Sequence, residues 1–162
     1  MYEALLEEAR QKGLTVIEKY PFLSERIRGL CCDDTIALSA AIDTSAERTV
    51  VLCEELAHAD RSFGNILHDP KAERRARQHS FDRLIGTEGL VRAFLAGCRE
   101  PWEFAEFFGV TEAFLREVVA NYAQRFGTNT TVTYKDGRFT LSFLPTFTVR
   151  QEKDAKNAHI EA

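Results

Sequence analysis

Apolar and polar positions follow two rhythms along this chain, and each change of rhythm marks an element. Residues 2–12 repeat every three to four positions, with Tyr2, Leu5, Leu6 and Ala9 on one side and Glu3, Glu7, Glu8 and Lys12 on the other. That predicts an amphipathic helix stopped at Gly13. Leu14-Thr15-Val16-Ile17 reads as a short strand, and 26–32 with 35–39 read as a hairpin around Asp33-Asp34. Helical period then returns. Ser45 is the expected N-cap, Glu47 and Arg48 fall in the first turn, and Val50, Val51, Cys53, Leu56 and Ala57 predict a mostly buried helix to about residue 60.

Residues 61–70 read as a loop, with Asp69 as N-cap and Pro70 in the first turn of a helix to about residue 85. Further helices are expected at about 87–97, 101–108 and 111–126, the last opened by Thr111-Glu112 and stopped by Gly127. Residues 130–134 and 138–143 alternate around Lys135-Asp136-Gly137, a hairpin signal. Residues 150–162 are polar and aperiodic and are expected to fray. The sum is an α+β fold. A small, mostly antiparallel N-terminal sheet packs on the 45–60 helix, and a helical C-terminal half ends in a β-hairpin. Residues 1–149 form one domain in this reading, since no repeat or linker divides the chain.

Composition narrows the class without changing that picture. With 162 residues, 44% hydrophobic and 28% charged, the chain can bury a proper core and is neither a disordered segment nor a disulfide scaffold. No apolar run approaches the roughly 18 residues of a membrane span, and the opening Met1-Tyr2-Glu3-Ala4 does not read as a signal segment. A cytoplasmic protein with no membrane partner is expected. The 25 acidic residues outweigh 21 basic ones, for a net charge of −4, so there is no global attraction to nucleic acid. Cys31 and Cys32 are adjacent while Cys53 and Cys98 stand apart, which writes no CxxC site and reads as free thiols.

Candidate chemistry concentrates in Cys53-Glu54-Glu55-Leu56-Ala57-His58. Glu54 and His58 are four apart and share a helix face, while Glu55 lies one step along, near enough to reach a water between them. This is the geometry of the HExxH zinc-hydrolase helix with glutamate in place of the first histidine. A third ligand must come from elsewhere, and Glu73 on the next helix is the best candidate. Two adjacent glutamates and a histidine on an otherwise apolar helix place charge where burial is expected, and buried carboxylates need partners or a metal. Asp60 and His68 lie near the following loop, where either could also reach a metal. His79 follows Glu73 by six residues, about 600° at roughly 100° per residue, and so faces the other way. His159 belongs to the polar tail.

Two other segments bear on partners. Lys71, Arg74, Arg75 and Arg77 read as the solvated face of a helix whose Glu73 turns inward. Residues 101–119 have the rhythm of a helix-turn-helix with Gly109 at the turn. The second helix opens Thr111-Glu112-Ala113-Phe114, with Arg116 its lone early cation, whereas a DNA-reading helix carries basic or amide side chains there. The pair reads as packing structure or as a protein-docking surface, and a nucleic-acid partner is not expected.

The run Thr49-Val50-Val51-Leu52-Cys53-Glu54-Glu55-Leu56-Ala57-His58, then Gly64-Asn65-Ile66-Leu67, then Glu73-Arg74-Arg75-Ala76-Arg77, resembles the ImmA/IrrE family of metallo-endopeptidases. It is most similar to the small phage- or mobile-element-associated members. The order of Val16-Ile17, Ile27-Arg28-Gly29-Leu30, Trp102–Glu112 and Tyr122–Gly127 extends the resemblance over about residues 2–127. The resemblance implies a zincin-like fold in which zinc is held by Glu54, His58 and Glu73, with Glu55 as the catalytic glutamate. Glu54 stands where better-studied members have histidine, and the more anionic ligand set should make zinc a weaker Lewis acid. The implied mechanism is hydrolysis in which zinc polarises the scissile carbonyl and Glu55 moves a proton from water to the leaving amine. The implied function is that of a zinc-dependent metallo-endopeptidase or protease-like regulator. Its substrate would be a regulatory protein, such as a helix-turn-helix repressor of a phage or mobile element. The competing class is a non-catalytic protein-binding module that keeps the fold; a DNA-binding regulator is a distant third.

Overall fold

The structure, a computed structural model, describes residues 1–60 and 70–152. Along them run α1 (Tyr2–Gln11), β1 (Thr15–Tyr20), β2 (Gly29–Cys32), β3 (Thr35–Ser39), α2 (Ser45–Ala59) and α3 (Pro70–Leu84). The second half holds α4 (Thr87–Leu95), α5 (Pro101–Phe108), α6 (Glu112–Phe126), β4 (Asn129–Tyr134), β5 (Gly137–Ser142) and β6 (Thr148–Gln151). The architecture is mixed α+β, as the two rhythms predict.

The first sheet has the order β1-β3-β2. The expected hairpin is present, with Leu30 opposite Ala37 and Cys31 opposite Ile36. β1 adds to the free side of β3 in parallel, pairing Thr15 with Thr35, so the sheet is mixed. It also runs beyond the expected 14–17, through an irregularity between Ile17 and Tyr20 where Lys19 takes φ 59°. Alternation sends Ile36 and Leu38 into the core beneath α1 and α2. β2 is left as the edge strand beside α2.

Thr44, rather than Ser45, caps α2: its Oγ1 accepts from the Glu47 N–H at 3.1 Å. Thr44 and Glu47 have the three-residue spacing of a capping box, but the Glu47 carboxylate pairs instead with the Arg28 guanidinium, 2.8 Å from its Nε. That contact ties the start of α2 to the chain entering β2. Buried Val51, Leu52, Cys53 and Leu56 seat the middle of α2 on the core.

In the second half, α5 carries a capping box between Glu100 and Glu103 with Pro101 in its first turn, and ends at Gly109 in the left-handed region. Thr111 caps α6 by accepting from the Phe114 N–H at 3.1 Å. The C-terminal hairpin is part of a three-stranded antiparallel sheet, β4-β5-β6. Thr140 pairs with Arg150 and Phe139 with Gln151, so ordered structure runs past residue 149 into the segment expected to fray. Polar edge strands carry little hydrophobic signal, which is why β6 escapes a periodicity reading. Residues 153–162, His159 among them, lie outside the described residues. One continuous core joins Leu5, Leu56, Leu90, Leu115, Tyr122 and Phe143 across both halves. Among the described residues no helix is long and apolar enough to cross a membrane, and all four cysteines are free.

Candidate metal centre

α2 and α3 pack against one another, and their contact brings His58 and Glu73 together. His58 Nε2 lies 3.4 Å from Glu73 Oε2. Glu73 does not turn inward as expected: its side chain stays 61% exposed while its carboxylate reaches across to the imidazole, which is 17% exposed. A half-solvated carboxylate needs no second partner, so Glu73 can remain at the rim.

Glu54 projects from the same face of α2, one turn before His58, and its carboxylate pairs with the Arg77 guanidinium. Arg77 is therefore not part of a solvated basic face. Its Nε also donates to Glu117 on α6 at 3.1 Å, and its guanidinium lies 5.6 and 5.3 Å from the ring centroids of Phe81 and Phe114. The physical reason is Glu54 itself: a carboxylate only 22% exposed requires a cation, and Arg77 supplies one. Lys71, Arg74 and Arg75 remain exposed. Burial raises the proton affinity of Glu54, with Glu117 and Glu73 adding to the effect and Arg77 opposing it.

Glu55 points toward the edge strand β2. A Cβ placed on Gly29 would lie 2.5 Å from Val51 Cγ1 and 2.7 Å from Glu55 Oε1, so glycine is what allows strand and helix to approach. Burial, then the charges of Glu54 and Glu73, push the Glu55 carboxyl up to about 8, while a hydrogen bond from the Cys31 backbone N–H pulls the other way. Burial and the Glu55 charge likewise push the Cys31 thiol up to about 11, so it is a poor nucleophile at neutral pH.

Two features of the site resemble those of a divalent-cation site, and a third is missing among the described residues. Two ligands of one tetrahedral zinc, at bonds of about 2.0–2.2 Å, sit about 3.3–3.6 Å apart, and His58 and Glu73 show that separation. The donor set is also anionic: the Glu73 charge raises the proton affinity of Glu54, and Glu54 and Glu73 together raise that of Glu55. The third ligand is engaged elsewhere. With Glu54 held by Arg77, no group of three His, Cys, Asp or Glu residues that could hold a metal forms among the described residues. Asp60 is committed too: it is the C-cap residue of α2, and its carboxylate pairs with Lys12 at 2.5 Å. His79 is half-buried on α3, and His68, Asp69 and the 64–67 segment lie outside the described residues. A hollow of about 320 Å³ lies between Leu95 and the β4–β5 turn, and no residue of α2 or α3 lines it.

Comparison with known proteins found no matching family model, no matching curated protein and no matching solved structure. The site's case therefore stands on its geometry. That geometry adds Arg77, Glu117 and Gly29 to the residues singled out by sequence. A signal for Arg77 was available: it follows Glu73 by four, so a helix that turns Glu73 toward α2 turns Arg77 the same way. Nothing local marks Glu117, which lies 40 residues further along the chain.

Proposed function

We propose that this chain is a zinc-dependent metallo-endopeptidase, or a protease-like regulator built on the same zincin-like fold, acting in the cytoplasm on a regulatory protein such as a phage or mobile-element repressor. The observation that carries this reading is the meeting of His58 and Glu73, from two different helices, at the spacing of ligands on one ion. Glu54 completes the set of residues that would hold it. A zinc ion there supplies Lewis acidity toward a carbonyl oxygen. Glu55 would take a proton from the attacking water and deliver it to the departing amine nitrogen once the charge of a bound dication offsets the burial that holds its carboxyl up at about 8, with the Cys31 N–H meeting that carboxylate. Four free thiols suit a reducing compartment.

One observation favours the second class, a non-catalytic module that binds its protein partner. The Arg77–Glu54 pair already neutralises the buried carboxylate, so the helices are held together without any ion. Cleavage separates the two. Incubated with zinc and a candidate helix-turn-helix repressor, the wild-type chain should cut it at one or a few bonds, and Glu55→Gln should leave it whole. A wild-type protein that loads zinc and binds the repressor but cuts nothing supports the binding module instead.

A further inference from the structure

We infer that the outer face of the N-terminal sheet docks a second copy of this chain, packed face to face about a two-fold axis with its strands running the opposite way. The inference is independent of the zinc reading. In a sheet with one covered face, residues alternate between core and solvent, and the solvent row is ordinarily polar. Here it is not. Val16, Ile36 and Cys31, paired across the three strands, belong to the core or pack on it, and the next row is Ile17, Ala37 and Leu30. Cross-strand partners share a face and successive residues alternate, so this second row looks away from α1 and α2. Ile17 is 40% exposed, and the half-buried Leu30 does not pack against the core. Tyr20, opposite Ser39 and so on the same face as Ala37, extends the row. The loop 21–28 adds Leu23, fully exposed, and Ile27 at that end.

The edges of the sheet rule in face packing over strand addition. β2 has its edge beside α2, and the open edge of β1 carries a bulge with the charged Lys19 at φ 59°, a device that resists pairing. Charge then singles out the occupant. Asp33 and Asp34 stand exposed at the β2–β3 turn, a charge of −2 at one end of the face. At the other end stand Lys19 and Arg26 less Glu25, a net +1, all exposed. Glu18 and Arg28, near that end too, are engaged by Tyr2 of α1 and Glu47 of α2. A face with opposite charge at its two ends matches itself when a two-fold axis reverses the strands, because each acidic end then covers a basic one. Two sheets packed this way lie about 10 Å apart. Three strands about 4.8 Å apart, each five residues at about 3.3 Å, offer a footprint of about 240 Å², enlarged by Leu23 and Ile27. That is well below the roughly 800 Å² per partner of a stable complex, so the pair is a weak one, forming near about 100 µM. Glu55 lies between β2 and α2 on the covered side of the sheet, and the second copy leaves it open.

Sedimentation velocity of the full chain, from about 1 to about 500 µM in low salt, tests this. Wild type should pass from monomer toward dimer across that range, and added salt should weaken the association. Ile17→Lys, at an exposed position outside the core, should weaken it about tenfold or more while melting with wild type. Two charge variants decide the matter if that substitution disturbs the sheet. Asp33→Asn with Asp34→Lys reverses one end, asparagine tolerating the φ of 50° at that position. Lys19→Glu with Arg26→Glu reverses the other. Each should self-associate about tenfold more weakly than wild type. An equal mixture of the two should dimerise at least as well as wild type, since both end contacts are then attractive again. A wild-type chain that stays monomeric over the whole range overturns the inference, as does a dimer that Ile17→Lys leaves intact. Charge variants that associate like wild type, alone and mixed, overturn the two-fold arrangement and the inference with it.

Discussion

Glu54 and Glu55 are neighbours in sequence but are treated differently by the fold. Glu54 faces α3, where Arg77 neutralises it, and Glu55 faces β2, where a backbone N–H meets it. Successive helix residues point about 100° apart, and that angle sends the two carboxylates to different neighbours, as the proposed division into ligand and proton carrier requires. Glu55→Gln should keep the fold to within about 1 kcal/mol, because the amide oxygen still accepts from Cys31. It should also keep zinc and lose all cleavage, which metal analysis and a cleavage assay on one preparation will show. Loss of zinc in this variant would mean that Glu55 is the ligand. Glu54→His should hold zinc at least as tightly as wild type, since it restores the commoner ligand and leaves Arg77 with Glu117 alone. A chelator titration in which it binds more weakly would count against Glu54 as a ligand.

At the scale of elements, the site depends on how closely β2 approaches α2 and how α3 lies beside it. Gly29 sets the first distance. Gly29→Ala would put a methyl group within 2.5 Å of Val51 Cγ1 and 2.9 Å of Glu55 Cγ. Because the β-branched Val51 is stiff on its helix, the strand must move, at a cost of about 1–3 kcal/mol. A denaturant midpoint unchanged by the substitution would show that strand and helix do not meet this way. Much of this level was legible in advance. The apolar period of 45–60 gave α2, the shared face of Glu54 and His58 followed from their spacing, and the next helix brought Glu73 to His58. The rest depended on contacts remote in sequence. In the chain Arg77 differs from Arg74 and Arg75 only in its four-residue spacing from Glu73, and only the packing of α6 against α3 brings Glu117 to it. The Thr44 cap and the parallel seat of β1 were likewise decided by the partners each found: Glu47 went to Arg28, and β1 took the open side of β3, leaving that of β2 to α2.

Across the whole molecule, the two site helices are braced from behind by α1. Glu8 pairs with Arg83 of α3, and Lys12 bridges Glu8 at 2.8 Å and Asp60 at the end of α2. Burial alone would push Glu8 upward, but the hydrogen bonds and charges of Arg83 and Lys12 outweigh it and hold the carboxyl below its ordinary 4.5. Burial likewise works against the Lys12 charge, and Asp60 and Glu8 overcome it, holding Lys12 above its ordinary 10.5. The folded chain therefore binds fewer protons at Glu8 than the unfolded chain does, and stability from this group is full above pH 4.5 and lost as pH falls below it. For Lys12 the sign reverses: its contribution is full below pH 10.5 and lost as pH rises past it. Glu8→Gln should cost about 1 kcal/mol at neutral pH and flatten the acid side of the stability curve. Thermal melts of wild type and variant that stay parallel from pH 3 to pH 7 would show that the brace carries no load.

On the proposed reading, His58 and Glu73 meet to hold a zinc ion. Elemental analysis of the purified chain, after dialysis against metal-free buffer, measures this most directly. About one zinc per chain is expected, lost in both His58→Ala and Glu73→Ala while the two variants remain folded by circular dichroism. A folded wild-type chain that retains no zinc, and takes up none when it is supplied, would contradict the account and leave the two side chains as an ordinary ion pair between helices.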